Sequence, residues 1–291
     1  MTAIITDPTY GYKRLDPIPS EEELAKYYQE KYFGLKLDKS AQKETADNQW
    51  LGMTSWADIV TELSRNGCKD ILEIGCGVGD LGSMLRLNKF DYVGLEPCRE
   101  AAKEVEKKDL DVMLCDLDYY YNNSNGHKHD AVIMMNVLEH VREPAKFISV
   151  AKSLLKPGGL LIVQVPNDFS ILQMATDNYR RKPDKEFPYW VAIPDHINYF
   201  KLASLKAMVE GEGFDPFRVQ SDYPMEFFLL EGLNYINNPS IGAHCHEIRV
   251  DFEMSLQRHG GRVSLYRRFA KAGIGRNILM FAREESNPDE S

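Results

Sequence analysis

Long apolar runs are missing from this chain. Nothing in its 291 residues approaches the roughly 18 consecutive apolar residues of a membrane-spanning helix, so no membrane span is expected. The opening Met1-Thr2-Ala3-Ile4-Ile5-Thr6-Asp7 lacks the basic and apolar regions of a secretory signal. A basic excess is missing too. With 35 Lys and Arg against 44 Asp and Glu the net charge is −9, which argues against a broad phosphate-binding face and against nucleic acid as a partner. The local cluster Arg262, Arg267, Arg268 and Lys271 reads as a solvated helix face. Paired cysteines are absent: Cys68, Cys76, Cys98, Cys115 and Cys245 are odd in number and carry no metal spacing, which fits reduced thiols and a cytoplasmic setting. His244-Cys245-His246 offers two imidazoles, too few for a metal site, and no paired acidic metal motif stands elsewhere, so no metal is expected. No internal repeat is visible.

What is present is an alternation of short apolar runs and amphipathic stretches. Asp70-Ile71-Leu72-Glu73-Ile74-Gly75-Cys76-Gly77-Val78-Gly79-Asp80 reads as a buried strand entering a glycine-rich turn, with a helix starting near Leu81. Further strands are expected at Asp91–Glu96, Asp111–Cys115, His129–Met135 and Leu160–Val165, with helices from about Arg99 and from Pro144. Pro157-Gly158-Gly159 is expected to stop the second of these helices. Such alternation means a parallel sheet with right-handed crossovers. A helix at Leu202–Val209, a strand at Phe214–Ser221 and a last strand at Asn277–Ala282 follow. Upstream, residues 1–19 read as an extended arm and Ser20-Glu21-Glu22-Glu23 as a capping box. Lys36–Asn48 reads as a polar link, and residues 49–64 as an amphipathic helix.

The glycine loop leaves two cofactors open. Gly77-Val78-Gly79-Asp80-Leu81-Gly82 matches a dinucleotide pattern, and Glu96 stands at a suitable distance for a ribose contact, so a nicotinamide-dependent oxidoreductase fits these residues. Other motifs carry a different likeness. Glu73-Ile74-Gly75-Cys76-Gly77-Val78-Gly79, Gly94-Leu95-Glu96-Pro97, Cys115-Asp116-Leu117, Asn136-Val137-Leu138-Glu139-His140-Val141 and Leu155-Lys156-Pro157-Gly158-Gly159 stand in order along the chain. Together they resemble class I S-adenosylmethionine-dependent methyltransferases, in the broad group that includes ubiquinone-biosynthesis O-methyltransferases and sugar or polysaccharide-precursor methyltransferases. The resemblance covers roughly residues 50–215.

The resemblance implies a Rossmann-like α/β fold: a doubly wound, mostly parallel seven-stranded sheet with an N-terminal helical arm and a helical insertion before the last strand. It divides the chain into an arm (1–48), a cofactor-binding core (49–221), an insertion or lid (222–275) and a last strand with tail (276–291). The implied cofactor is S-adenosyl-L-methionine, released as S-adenosyl-L-homocysteine. Glu73, Gly75, Cys76, Gly77, Gly79, Glu96, Pro97, Asp116, Leu117, Asn136 and Leu138 are its expected contacts. Glu96 would accept from both ribose hydroxyls and Asp116 from the adenine amino group, with an Asx turn the alternative for Asp116. Glu73 would either hold the cationic methionine end or brace the loop. Cys76 and Cys98 read as packing residues.

Methyl transfer needs an aimed acceptor and a group to take its proton. His140, and His196 in Pro194-Asp195-His196-Ile197-Asn198-Tyr199-Phe200, are the candidate bases, with a loop-bracing role the alternative for each. The family usually places Ser or Thr after that segment; Lys201 stands here, so a shifted helix start is expected. The expected partner is a small-molecule acceptor, a hydroxyl or amine of a sugar or polysaccharide precursor, with a quinone precursor the alternative. A non-catalytic module that binds the same cofactor also remains open. The aromatic stretch Tyr179–Trp190 and Met225-Glu226-Phe227-Phe228 are candidate walls for that acceptor.

Overall fold

Alternate apolar residues on five consecutive strands decide the architecture. In the computed structural model, which describes residues 2–27, 42–180, 186–236 and 238–285, those strands form the centre of a seven-stranded sheet. They are β3 (Asp70–Ile74), β4 (Asp91–Leu95), β5 (Val112–Met113), β6 (His129–Met135) and β7 (Leu155–Pro166). The sheet order is β5-β4-β3-β6-β7-β10-β9, where β9 is Phe214–Ser221 and β10 is Asn277–Glu284. The first five strands are mutually parallel, and β10 runs antiparallel to both its neighbours. This is the expected mostly parallel, doubly wound sheet.

One set of side chains, Leu72, Ile74, Val132, Met134, Leu161 and Val163, packs under α6 (Pro144–Ser153) and α8 (Leu202–Gly211). The intervening residues, Ile71, Ala131, Ile133, Leu160 and Ile162, pack on the other face against α2 (Gln42–Arg65) and α3 (Asp80–Leu87). Burial of both faces is why these strands carry no polar alternation. The remaining core helices are α4 (Arg99–Glu106), α5 (Leu117–Asn123) and α7 (Ile171–Arg180).

Several expectations need correction. The N-terminal segment is a hairpin, β1 (Ala3–Thr6) with β2 (Lys13–Asp16), and β2 pairs with β8 (Asn198–Tyr199) in a second, three-stranded sheet. The capping box of α1 (Glu21–Tyr27) is present: the Ser20 N–H donates to Glu23 Oε2 at 2.8 Å, and the Glu23 N–H to Ser20 Oγ at 3.2 Å. Part of the Lys36–Asn48 link lies outside the described residues, but Gln42 onward is already helix, so the 48/49 boundary falls inside α2. Strand β5 is two residues long, not five. Pro157-Gly158-Gly159 does not stop α6, which ends at Ser153; it lies within β7, where the register against β6 slips between His129 and Ala131. Lys201 does not shift α8, because Ser204 Oγ takes the Lys201 N–H at 3.1 Å and closes the first turn from inside.

The insertion folds as α9 (Glu226–Leu230), α10 (Pro239–Arg258) and α11 (Arg262–Lys271). His244, Cys245 and His246 are helical, with the cysteine buried and His244 exposed. Arg262 leaves the supposed basic face. It is buried, and its Nη2 donates to Asp58 Oδ1 of α2 at 2.7 Å, which anchors the insertion to the core.

Candidate active site

The glycine loop after β3 is built by the end of β4. The N–H groups of Gly75 and Cys76 donate to the Leu95 carbonyl at 2.8 and 3.0 Å, and the Gly77 N–H donates to Glu96 Oε2 at 2.8 Å. Gly75, Gly77 and Gly79 all have positive φ, at 70°, 56° and 75°. At Gly75 and Gly79 a Cβ would meet Val137 and Leu110 at 2.8 Å, so those glycines serve packing. A Cβ at Gly77 would meet nothing within 4 Å: its open side faces the cleft.

Glu96 is buried with both oxygens engaged, Oε1 accepting the Cys98 N–H at 2.9 Å. Glu73 points under the loop, accepting from Tyr92 Oη at 2.7 Å, and burial pushes its pKa up to about 8. The Tyr92 contact is one that braces the loop. Cys76 also packs beneath the loop against Gly94, its thiol raised by burial. Asp116 caps α5, its Oδ1 accepting the Tyr119 N–H at 2.7 Å; the residue is exposed beside exposed Pro97. Leu117 and Leu138 are core residues, Leu138 fully buried, so its side chain does not line an open cleft. Asn136 is exposed, with φ at 56° and Oδ1 3.4 Å from Gln164 Nε2.

Beyond β6 the two candidate histidines meet. The Ile197 and Asn198 N–H groups donate to the Glu139 carbonyl at 2.7 and 3.0 Å, and Asn198 Nδ2 donates to the Leu138 and Val141 carbonyls. Pairing of β8 with β2, and the Leu15 N–H bond to the Ile197 carbonyl at 3.0 Å, clamp this loop from outside. His140 and His196 thereby stand ring to ring, 4.9 Å apart and nearly perpendicular. The His140 Nδ1–H donates to the Asp195 carbonyl at 2.8 Å, so in the neutral ring Nε2 is the unprotonated nitrogen; it stands 3.8 Å from Glu139 Oε1.

Burial works against a charge on His140, but the bonds and charges of Asp195 and Glu139 outweigh it and hold the pKa above its usual value. Burial, and then His140, pull His196 down to about 4. Burial pushes buried Glu139 up to about 7. Glu139, His140 and His196 each bring one donor atom within 4.8 Å of the others, a spacing a divalent cation could bridge. Asp70, His127 and His129 do so at the opposite end of the sheet, where the ring nitrogens already bond Asp70 and Tyr120.

The sequence reading offered Tyr189, Trp190 and Glu226 as parts of candidate acceptor walls, but it missed Asp168, which follows β7, and Tyr235 of the insertion. Asp168 and Glu226 are buried, and Tyr189 Oη donates to Glu226 Oε1 at 3.1 Å. Asp168 Oδ2, Trp190 Nε1, His196 Nδ1 and Glu226 Oε2 are buried without a hydrogen-bond partner among the described residues. Phe169 stands edge-on to Trp190 at 5.3 Å, as does Tyr189 at 5.0 Å. A pair of aromatic segments around buried acids was the available sequence signal.

Residues 49–219 match the family described as a methyltransferase domain. The chain belongs to that family. Its motifs and sheet make it a class I S-adenosylmethionine-dependent methyltransferase. Curated relatives include the ubiquinone biosynthesis O-methyltransferase of Actinobacillus pleuropneumoniae serotype 5b, 26% identical over 165 residues, 51% of this chain and 70% of that one. The mitochondrial ubiquinone biosynthesis O-methyltransferase of Dictyostelium discoideum is 28% identical over 113 residues, and the match spans 34% of this chain and only 35% of the relative. Magnesium protoporphyrin IX methyltransferase of Synechocystis, solved with S-adenosylhomocysteine, shares the fold at TM-score 0.53 and 15% identity, covering 89% of this chain and 97% of that one.

The cleft fits the family's cofactor. The one loop glycine whose missing Cβ faces open space, Gly77, is held by the acid that follows β4, and Asp116, at the start of α5 after β5, is exposed. Among the described residues no helix is long and apolar enough to cross a membrane.

Proposed function

We propose that this chain methylates a hydroxyl or amine of a small polar acceptor, a sugar or polysaccharide precursor, bound between the carboxyl ends of β6 and β7 and the helical insertion. The observation that carries the reading is the set of buried, unbonded polar atoms on Asp168, Trp190 and Glu226 beside aromatic walls. Buried polar atoms in native proteins nearly always have partners. Hydroxyls of a ligand supply them here, and Trp190 and Tyr189 supply flat apolar faces of the kind a sugar ring covers.

S-adenosylmethionine, when bound, supplies a methyl group already activated on sulfur. Glu96 and the Gly77 backbone would hold its ribose side, Asp116 its adenine side and Asn136 the rim toward the acceptor. His140 takes the acceptor's proton on Nε2; its tautomer is set by the Asp195 carbonyl, and the bonds and charges of Asp195 and Glu139, which raise its pKa, favour the protonated ring that results. His196 stays neutral and orients the acceptor beside it.

A quinone-precursor acceptor is the second reading, favoured by the names of the relatives. The test is incubation of the protein and labelled donor with sugars, nucleotide sugars and catechols, followed by mass spectrometry for one added methyl group. Methylation of catechols alone would replace the first reading with the second. Donor binding without transfer to any acceptor would make the chain a binding module.

A further inference from the structure

Arg276 takes part in none of the side-chain contacts above. It precedes β10 on a clamped backbone: its carbonyl accepts the Asn167 N–H at 2.8 Å, and Asn167 Nδ2 donates to the Gly275 carbonyl at 3.0 Å. On the other side, Asp222 accepts from Asn277 N and Nδ2 at 2.8 and 2.7 Å. Gly275 has φ at 109°, and a Cβ there would collide with Ser221, so the chain has no room to shift. Because Asn277 pairs with Pro166 across the sheet, Arg276 is launched from the carboxyl end of β7, next to Asp168.

Arg276 is exposed, and the groups around it favour its charge more than burial opposes it. Tyr235, Glu226, Asp168 and Asp222 all act on its charge, and it acts in turn on His196 and Tyr189. Yet it makes no ion pair within 4.0 Å and no side-chain hydrogen bond with any described residue. Asp168 Oδ2 and Glu226 Oε2 are unbonded as well. An arginine beside buried carboxylates forms charge-assisted bonds wherever the scaffold lets it reach them. Here a cation and two buried carboxyls act on one another electrostatically yet stand farther apart than the 4.0 Å of a salt bridge, the cation offering a donor fork and each carboxyl an unbonded oxygen.

We propose that Arg276 binds an anionic group of the methyl acceptor, a carboxylate or a phosphate, while Asp168 and Glu226 accept hydrogen bonds from hydroxyls of the same molecule. This rests on the acceptor-site reading above and narrows it to acidic, hydroxylated acceptors. The planar guanidinium offers the bidentate geometry that both anions accept. Burial raises both carboxyls above their usual range, Asp168 to about 7, which reduces their repulsion of an incoming anion.

The test uses the full chain and calorimetric titration at millimolar concentration, with and without saturating S-adenosylhomocysteine. The probes are glucuronate, glucose 1-phosphate and neutral glucose, with 3,4-dihydroxybenzoate against catechol as an aromatic pair. At least one acid should bind about tenfold more tightly than its neutral counterpart, and Arg276→Gln should erase the difference while S-adenosylhomocysteine affinity stays within about twofold. Arg276→Lys, with charge but no fork, should retain part of it. Whether glucuronate or glucose 1-phosphate is favoured distinguishes carboxylate from phosphate. Equal binding of acids and neutral probes in the wild type, or an acid preference that survives Arg276→Gln in a folded protein, overturns the proposal. Failure to bind S-adenosylhomocysteine strikes the methyltransferase reading instead, and the acid preference is still read without it.

Discussion

Replacing Glu96 by alanine tests how the cofactor cleft is assembled. The carboxylate is 6% exposed and accepts two backbone N–H groups, from Gly77 at 2.8 Å and Cys98 at 2.9 Å. Bonds to a charged group contribute about 1.5–3 kcal/mol each, and taking the lower figure for both gives about 3 kcal/mol lost from the ordered loop. If binding must then restore that order, affinity for S-adenosylhomocysteine falls about 100-fold, at about 1.4 kcal/mol per factor of ten. Glu96→Gln keeps one acceptor oxygen and loses the charge, so about a tenfold loss is expected. Calorimetric titration of each variant, with circular dichroism to establish folding, measures both. A folded alanine variant that binds within about threefold of wild type would refute the role of Glu96 in loop and ribose alike.

Three further outcomes follow from contacts nearby. Gly82→Ala would place a Cβ 2.5 Å from Tyr92 Cζ, and Tyr92 is pinned to Glu73 at 2.7 Å; overpacking of this kind costs about 1–3 kcal/mol, read from urea midpoints, and an unchanged midpoint would disprove the clash. Glu73→Gln should stabilise the protein near neutral pH. The folded pKa of about 8 lies above the ordinary 4.5, so the wild-type acid contributes stability at low pH and loses it as pH rises through that window. The variant's advantage should therefore grow by up to about 1.4 kcal/mol per pH unit and level off above about 8; parallel unfolding curves from pH 5 to 8 would sink this. His140→Gln should cost about 10²–10⁴ in rate and remove the acid limb of the kcat/KM profile, which in the wild type falls as His140 gains its proton; a limb that persists in the variant would clear His140.

Much of the core was legible because its signals are local. The continuous apolar runs through Ile71, Leu72, Ile133 and Met134, buried on both faces, and the glycines after β3 need no distant partner to be recognised. Strand β6 spans His129–Met135 and β9 spans Phe214–Ser221, the bounds expected from the sequence. Signals that compete locally misled. Pro157-Gly158-Gly159 resembles a helix stop, yet the slip in register against β6 takes it into a strand. Arg262 resembles the exposed Arg267 and Arg268 in sequence, but Asp58, more than two hundred residues upstream, draws it inside. The arm became a hairpin only because β8 offers β2 an edge.

The sequence by itself determined the sheet, the glycine loop and the acids at the ends of β4 and β5, because adjacent residues carry each of those features. Tertiary structure alone decided that His140 and His196 share one corner and that Glu73 turns inward to Tyr92. It also decided that the charge of Arg276 acts on buried Asp168 and Glu226. Those groups come from loops after different strands and from the insertion, and a parallel sheet gathers such loops at one end whatever their separation along the chain.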